Sequence, residues 1–169
     1  MLLLYPTVSL RRVQEVTPAL LRRLGVEALI LDVDNTLSSP GSQTPAPGTQ
    51  EWARALQRAG VRLVILSNNR KKRVEPFAAQ YGLPCLSRGC KPLPFGYWRA
   101  QALLGVPASR IAVVGDQVFT DVLGAGLCGM RSVLLEPVSQ ESGVTFRVRR
   151  VLERRVRSKF PPGAGVEKG

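Results

Sequence analysis

The stretch of this chain that most constrains its fold is a short apolar run that ends in two acidic residues. Residues 29–31 are apolar and lead directly into Asp32 and Asp34, with the turn-forming Asn35 next. This pattern predicts a buried strand, residues 27–33, that enters an exposed loop. An isolated pair of carboxylates at this position would also fit an ordinary turn. Whether Asp32 and Asp34 form a functional site therefore depends on the other segments of the chain.

Strands and helices alternate along most of the chain. The predicted strands are 27–33, 61–66, 85–87, 111–114 and 132–135, and the predicted helices are 18–24, 51–59, 70–81, 95–104 and 118–127. Residues 1–16 are predicted to be irregular or partly helical, because Leu10, Val13 and Val16 recur at helical spacing. The alternation predicts one α/β domain with a parallel, three-layer, Rossmann-like sheet. Ligands bind beyond the carboxyl ends of such strands, which is where the two acidic residues lie.

The composition excludes several classes of site. The chain of 169 residues contains no histidine, which rules out serine–histidine and cysteine–histidine nucleophile pairs and every histidine-dependent metal site. The 3 cysteines are too few for a four-thiolate zinc site and are expected to be reduced, buried residues. No apolar run is long enough to cross a bilayer, and the N-terminal leucines lack the basic region of a signal peptide. We therefore expect a cytoplasmic protein that is soluble or peripheral at the inner face of the membrane.

The C-terminal part of the chain differs in composition from the rest. Five apolar residues recur there at helical spacing: Val148, Val151, Leu152, Val156 and Phe160. Residues 143–169 carry 8 basic and 2 acidic side chains, which is half of the formal net charge of +12. A basic amphipathic helix of this kind either lies on an anionic membrane surface or docks its apolar stripe on the sheet. We expect a domain over 1–138, a basic amphipathic tail over 139–160 and disorder over 161–169.

Groups of polar residues stand at the ends of successive predicted strands. In chain order they are Asp32, Asp34 and Thr36, then Ser67 and Asn68, then Lys91, and finally Asp116 and Asp121. This ordered set resembles the four motifs of the haloacid dehalogenase superfamily: Asp-x-Asp-x-Thr, a strand-terminal serine, a lysine, and Gly-Asp-x4-Asp. The segments 32–37, 66–69, 91–92 and 115–124 are similar to the YqeG type, subclass IIIA, of that superfamily. That type is similar to mitochondrial phosphatidylglycerophosphate phosphatases, and the resemblance covers residues 5–138.

The residue types fit phosphoryl transfer on physical grounds as well. Asp32 can attack phosphorus as a carboxylate and form an acyl phosphate that water later cleaves. Asp34 can protonate the departing alkoxide and then deprotonate that water. A halide leaves without a proton, so the second acid favours phosphatase over dehalogenase chemistry.

Several carboxylates that converge on one point also predict a cation. They repel one another unless a cation lies among them, and hard oxygen ligands suit Mg²⁺. The resemblance implies that the Asp32 side chain, the Asp34 backbone carbonyl and the Asp116 side chain hold it. It implies that Asp121 acts through water or from behind these ligands.

The resemblance also implies how the phosphoryl group is bound. Ser67, the backbone amide of Asn68 and Lys91 would hold it, and Thr36 would brace the loop. Only 29 residues, 38–66, separate the first motif from the second, and 21 residues, 70–90, separate the second from the lysine. A helix and a strand fill each gap, so we expect a capless site that suits a phosphate presented on a large molecule.

Three functions remain open from the sequence. The first is a Mg²⁺-dependent phosphatase that acts on a lipid headgroup, above all phosphatidylglycerophosphate, with an anionic membrane surface as partner. The second is a phosphatase of nucleic-acid ends or nucleotides, because the basic residues 70–73 beside the site would follow a phosphate backbone. The third is a non-enzymatic module that binds RNA or a ribonucleoprotein. Oligomeric state is not predicted.

Overall fold

The computed structural model describes residues 2–139 and 153–165, and these ranges form a parallel sheet flanked by helices. The strands are β1 (Val8–Leu10), β2 (Ala28–Leu31), β3 (Arg62–Leu66), β4 (Cys85–Leu86), β5 (Ile111–Gly115) and β6 (Arg131–Leu135). Their order across the sheet is β1-β6-β5-β2-β3-β4, and every neighbouring pair is parallel. The predicted α/β fold class is confirmed.

Strand β2 lies at the centre of the sheet because it is apolar on both faces. Leu31 pairs with Ile65 of β3 on one side and with Val114 of β5 on the other. All residues of β2 are buried, as expected for a parallel strand that is covered on both faces. This register brings the carboxyl ends of β2, β3 and β5 to one edge, so the residues that follow these strands meet there.

Helices cover both faces of the sheet. Within residues 2–139 the α-helices are α1 (Pro18–Leu24), α2 (Thr49–Arg58), α3 (Lys71–Ala79), α4 (Pro94–Leu104) and α5 (Leu123–Leu127). Leu29 and Leu31 share a core cluster with residues of α1, α2 and α3, whereas Ala28 and Ile30 share a second cluster with residues of α4 and α5. Successive side chains of β2 therefore enter two cores, which gives the predicted three layers.

The N-terminal residues differ from the prediction. Val8–Leu10 form strand β1 at the sheet edge, where they pair with residues 133–135 of β6. Leu10, Val13 and Val16 are all buried, but they belong to a strand end and to a short 3-10 turn with its flanking residue. A strand of three residues is too short to show an alternating pattern, so the helical spacing was misleading.

The other predicted elements agree with the structure within two residues at each boundary, with one difference in type. A π-helical turn, Val118–Val122, precedes α5 where a continuous helix is predicted. Among the described residues, each helix is too short or too polar to span a bilayer.

The basic C-terminal segment lies only partly within the described residues. The stripe residues Val148, Val151 and Leu152 fall in 140–152, outside them. Residues 153–159 are helical, and Val156 packs on apolar residues of the π-helical turn and of β6. This part of the segment docks on the domain.

Residues 161–165 also contact the domain, although the sequence predicts disorder from residue 161 onward. The amide of Gly163 donates to Ser9 O at 2.7 Å, and the amide of Ser9 donates to Ala164 O at 3.2 Å. Strand β1 is an edge strand, and its outer backbone groups offer these hydrogen bonds. Residues 161–165 therefore have backbone contacts with β1 in this structure. Residues 166–169 lie outside the described part.

Candidate active site

The carboxyl edge of the sheet carries the residues that the sequence predicts for the site. Asp32, Asp34 and Thr36 follow β2, Ser67 and Asn68 follow β3, Lys91 follows β4, and Asp116 and Asp121 follow β5. The structure arranges their side chains in two groups, one around Lys91 and one around Asp34.

The first group is built on a buried ammonium group. Lys91 Nζ lies 2.7 Å from Asp32 Oδ1 and 2.7 Å from Asp121 Oδ1, and 3% of the lysine side chain is exposed. Burial alone would lower the pKa of Lys91, but the Asp121 and Asp32 carboxylates raise this pKa above its ordinary value. Lys91 is therefore a charged counter-ion that two acids share.

Three carboxylates converge beside this ammonium group. Oxygen atoms of Asp32, Asp116 and Asp121 lie within 4.8 Å of one another. Burial raises the pKa of Asp32 to about 6, with Lys91 opposing the shift and Asp121 adding to it. Burial and the charges of Asp32 and Asp121 raise the pKa of Asp116 well above its usual range. The cluster is short of positive charge.

A divalent cation fits this deficit. When all three carboxylates are ionised, one ammonium group leaves two negative charges uncompensated. Asp116 Oδ1 is buried and accepts no hydrogen bond from the residues that the structure describes, which is costly unless a cation binds there. An all-oxygen donor set is typical of hard cations. Asp121, predicted to act through water or from behind the ligands, lies within the cluster itself.

The second group holds the side chain of Asp34. Arg73 Nη2 donates to Asp34 Oδ1 at 3.1 Å, and the Gly41 amide donates to the same oxygen at 2.9 Å. Asn69 Nδ2 donates to Asp34 Oδ2. The two acids of the first motif therefore have different surroundings, since Asp32 faces Lys91 and Asp34 faces Arg73.

The sequence reasoning missed the roles of Asn69 and Arg73. In the sequence, Asn69 is one residue of the motif segment 66–69, and Arg73 is one member of the basic run 70–73. The guanidinium group of Arg73 also lies 5.2 Å from the centroid of the Phe77 ring, and its side chain is 16% exposed. The sequence feature that places Arg73 near the site is its position in the first turn of α3, directly after the polar end of β3.

Asn68 holds the backbone of Lys91. Its Oδ1 accepts from the Lys91 amide at 2.7 Å, and its Nδ2 donates to Lys91 O at 3.1 Å. Ser67 is 1% exposed, and its Oγ accepts from the Asn69 amide at 3.2 Å. These contacts join the segments that follow β3 and β4, so the backbone of Lys91 is held in place while its side chain contacts Asp32.

Thr36 is 2% exposed in the loop after β2. Its amide donates to Val33 O at 3.2 Å, whereas its Oγ1 has no hydrogen-bond partner among the described residues. Any bracing of the loop by Thr36 in this structure is made by its backbone.

Close packing fixes Asp121 beside the end of β5. A Cβ atom on Gly115 would collide with the Asp121 carboxylate, so this approach requires glycine. The Tyr97 hydroxyl in α4 donates to Thr120 O at 2.7 Å, and Gly124 lies directly against the Tyr97 ring. Helix α4 thereby holds the π-helical turn that carries Asp121.

Arg157 of the C-terminal helix reaches the same edge. Its Nη1 donates to Leu135 O at 3.0 Å, and its Nη2 donates to Asp116 O. Burial dominates the pKa of Asp116, but Arg157 lowers that pKa and Glu153 raises it. The sequence does not distinguish Arg157 from its basic neighbours, because the contact depends on how the segment docks.

Within the described residues no inserted domain covers either group. Helix α2 follows the loop after β2 directly, and within residues 2–139 no domain is inserted there or between β3 and β4. Gln43 in this loop donates to Arg73 O at 3.0 Å, which ties the loop to α3. The predicted capless architecture is confirmed.

Comparison with known proteins agrees with this site. A family model of haloacid dehalogenase-like hydrolases matches residues 11–129. The chain is 31% identical over 153 residues to the probable phosphatase YqeG of Bacillus subtilis, covering 90% of this chain and 89% of that protein. It is 32% identical over 145 residues to the chloroplastic phosphatidylglycerophosphate phosphatase 1 of Chlamydomonas reinhardtii, covering 80% of this chain and 53% of that protein. The chain thus spans about half the length of the algal protein.

A solved structure shares the fold. The cobalt-bound deoxy-D-mannose-octulosonate 8-phosphate phosphatase of Haemophilus influenzae superposes with a TM-score of 0.51 at 17% identity, covering 86% of this chain and 98% of that one. The chain therefore belongs to the haloacid dehalogenase-like hydrolases and is an enzyme of the phosphatase type, as its four motifs predict.

Proposed function

We propose that this enzyme hydrolyses phosphatidylglycerophosphate with Mg²⁺, through an aspartyl-phosphate intermediate on Asp32, as a cytoplasmic protein at the membrane surface. The observation that carries the proposal is the buried contact of Asp32 with Lys91, in an acidic cluster that lacks two positive charges. This arrangement offers a nucleophile, a phosphate-binding cation and a place for a metal ion at one open edge.

The chemistry divides into two displacements at phosphorus. First, an Asp32 carboxylate oxygen attacks phosphorus, and the ester P–O bond breaks with its electron pair on the leaving alkoxide. Asp34 gives that alkoxide a proton, an effect worth about 10²- to 10⁴-fold for general acids. Asp34, now a carboxylate, then takes a proton from a water molecule. The oxygen of that water attacks phosphorus, which breaks the bond to Asp32 and releases inorganic phosphate.

The remaining residues bind and orient. Mg²⁺, when bound, would neutralise charge on the phosphoryl oxygens, and Asp32, Asp116 and the Asp34 carbonyl would hold it. Ser67, the Asn68 amide and Lys91 would hold the phosphoryl group.

The two acids of the first motif have distinct tasks, and their contacts support this division. Arg73 and Asn69 hold Asp34 away from the ammonium group that binds Asp32. A general acid and a nucleophile need such separate surroundings.

Three further observations support a lipid substrate. The algal relative carries the name phosphatidylglycerophosphate phosphatase 1, and the open edge accepts a phosphate that is presented on a bilayer. An enclosing cap would instead favour a small metabolite. The net charge of +12 favours approach to an anionic membrane.

Phosphate release from phosphatidylglycerophosphate in mixed vesicles tests this proposal. We expect release by the wild type with Mg²⁺, and loss of release with a chelator or with Asp32→Asn. An enzyme that hydrolyses an aryl phosphate in an Asp32-dependent reaction but leaves the lipid intact would contradict the substrate and retain the chemistry.

A further inference from the structure

An exposed apolar patch lies next to the phosphate-binding lysine in the sequence. Leu93, Phe95 and Trp98, here called the α4 patch, are 53%, 61% and 54% exposed. The Phe95 and Trp98 rings meet edge to face, with centroids 5.7 Å apart. Grouped exposed side chains of this size mark interaction sites more often than single exposed apolar residues do.

The α4 patch lies at the rim of the site. Helix α4 begins at Pro94, three residues after Lys91, at the carboxyl edge of the sheet. Gly96 in its first turn lies so close to Gly89 that a Cβ atom would collide with the Gly89 carbonyl oxygen. This contact joins the first turn of α4 to the loop that carries Lys91, so the patch and the opening share one edge.

The surroundings of the patch are basic. Residues 76–115 contain no aspartate or glutamate, whereas Arg88 and Arg99 flank the patch in the sequence and are exposed. Arg70 and Lys72, also exposed, lie at the start of α3 on the same edge. An aromatic anchor within a basic rim complements an anionic bilayer, because aromatic rings settle at headgroup depth and basic side chains contact anionic headgroups.

We propose that the α4 patch is a membrane-docking surface, which inserts Leu93, Phe95 and Trp98 among the headgroups of an anionic bilayer. Docking there would turn the open edge toward headgroup phosphates. The choice of a bilayer as occupant rests on the proposed lipid substrate and on the charge of the rim. This proposal places membrane docking on the folded domain and not on the basic C-terminal segment, because the described part of that segment packs on the domain through Val156 and Arg157.

Tryptophan fluorescence reports on this surface directly. Trp52 is 8% exposed and donates its indole N–H to Val16 O, so it is shielded from added vesicles. Trp98 is the exposed tryptophan. With vesicles of phosphatidylcholine and phosphatidylglycerol, we expect a blue shift of emission, and quenching when the acyl chains are brominated near the headgroup.

A matched pair of double variants separates the patch from general surface apolarity. Leu93→Ser with Phe95→Ser removes two anchors and keeps the Trp98 reporter. Leu103→Ser with Leu127→Ser removes two apolar side chains at the C-terminal ends of α4 and α5, where they are 57% and 51% exposed. We expect vesicle binding to weaken about tenfold or more in the first variant and to stay unchanged in the second, since large apolar side chains favour binding in proportion to the apolar area they withdraw from water. Hydrolysis of a soluble aryl phosphate should be equal in all three proteins.

The same measurements distinguish failure of this inference from failure of the proposed function. Absence of Trp98 quenching, or equal vesicle binding by both double variants, would overturn the docking surface, even if lipid in detergent micelles is hydrolysed. Self-association that the patch variant abolishes, seen by sedimentation without vesicles, would also overturn it by identifying a second copy as the occupant. Vesicle binding through the patch without lipid hydrolysis would retain the surface and refute the proposed substrate.

Discussion

Replacing Lys91 by methionine tests the electrostatic balance of the site without changing the length of the side chain greatly. The lysine is 3% exposed and contacts two carboxylates at 2.7 Å each. Its loss would leave Asp32, Asp116 and Asp121 together with no ammonium group between them. Removing one partner of a buried ion pair costs about 3–5 kcal/mol, because the remaining charge stays buried.

The loss of unfolding free energy caused by Lys91→Met should be larger at higher pH. The folded-state pKa of Asp32 is raised from 3.8 to about 6, so the folded protein binds the proton more tightly than the unfolded chain does. Stability without metal therefore rises as pH falls through about 6 and is lost as pH rises. Without Lys91 the carboxylates become harder to ionise, so the penalty should be largest at about pH 7.5 and smaller at about pH 5.

Urea unfolding in the presence of a chelator measures this effect at both pH values. We expect Lys91→Met to lose about 3–5 kcal/mol of unfolding free energy at about pH 7.5. The control is Lys71→Met. The Lys71 side chain is 73% exposed and lies 3.3 Å from Glu75, so this variant should lose no more than about 0.5 kcal/mol of unfolding free energy. A loss below about 1 kcal/mol for Lys91→Met, or an equal loss at both pH values, would show that Lys91 does not compensate the buried carboxylates.

Two further predictions concern residues outside the predicted site. Arg73→Gln should lower kcat/KM for an alkyl phosphate by about tenfold to a hundredfold and for an aryl phosphate much less. This ratio reports formation of the phosphoenzyme, in which only the poor leaving group needs a proton from a well-oriented Asp34. Steady-state kinetics with both esters, compared with the exposed Lys72→Gln, checks this; equal losses on both esters would contradict it. Arg157→Gln should weaken Mg²⁺ binding by about tenfold or less in calorimetry, because the guanidinium holds the backbone at Asp116. Arg155→Gln, an exposed neighbour, should bind the metal normally, and equal affinity of both variants would exclude this role.

The sequence predicted the centre of the fold well because each central strand is a continuous apolar run followed by a polar residue. Asp32, Ser67 and Asp116 are recognisable for this reason, since a parallel sheet brings such strand ends to one edge. Lys91 follows the two-residue edge strand β4 after a short loop, and it is recognisable only from its place in the order of the motifs. Edge strand β1 escaped prediction because its three residues are held by pairing with β6 rather than by any pattern of their own.

The contacts that escaped prediction all depend on tertiary packing. Arg73 reaches Asp34 across the edge from α3, and Arg157 reaches Asp116 from a segment 41 residues away in the chain. Basic residues are frequent throughout the chain, so composition does not indicate which of them point inward. Only the docked positions of α3 and of the C-terminal helix do so.

Trapping of the phosphorylated enzyme tests directly whether Asp32 is the nucleophile. The enzyme would be mixed with Mg²⁺ and phosphatidylglycerophosphate carrying a labelled terminal phosphate, quenched in acid within one turnover, and reduced with borohydride. We expect an acid-stable label on the wild type, conversion of residue 32 to homoserine by reduction, and no label on Asp32→Asn. Labelled phosphate released without any covalent species in wild type and in the slower Asp34→Asn, or reduction at another residue, would contradict it.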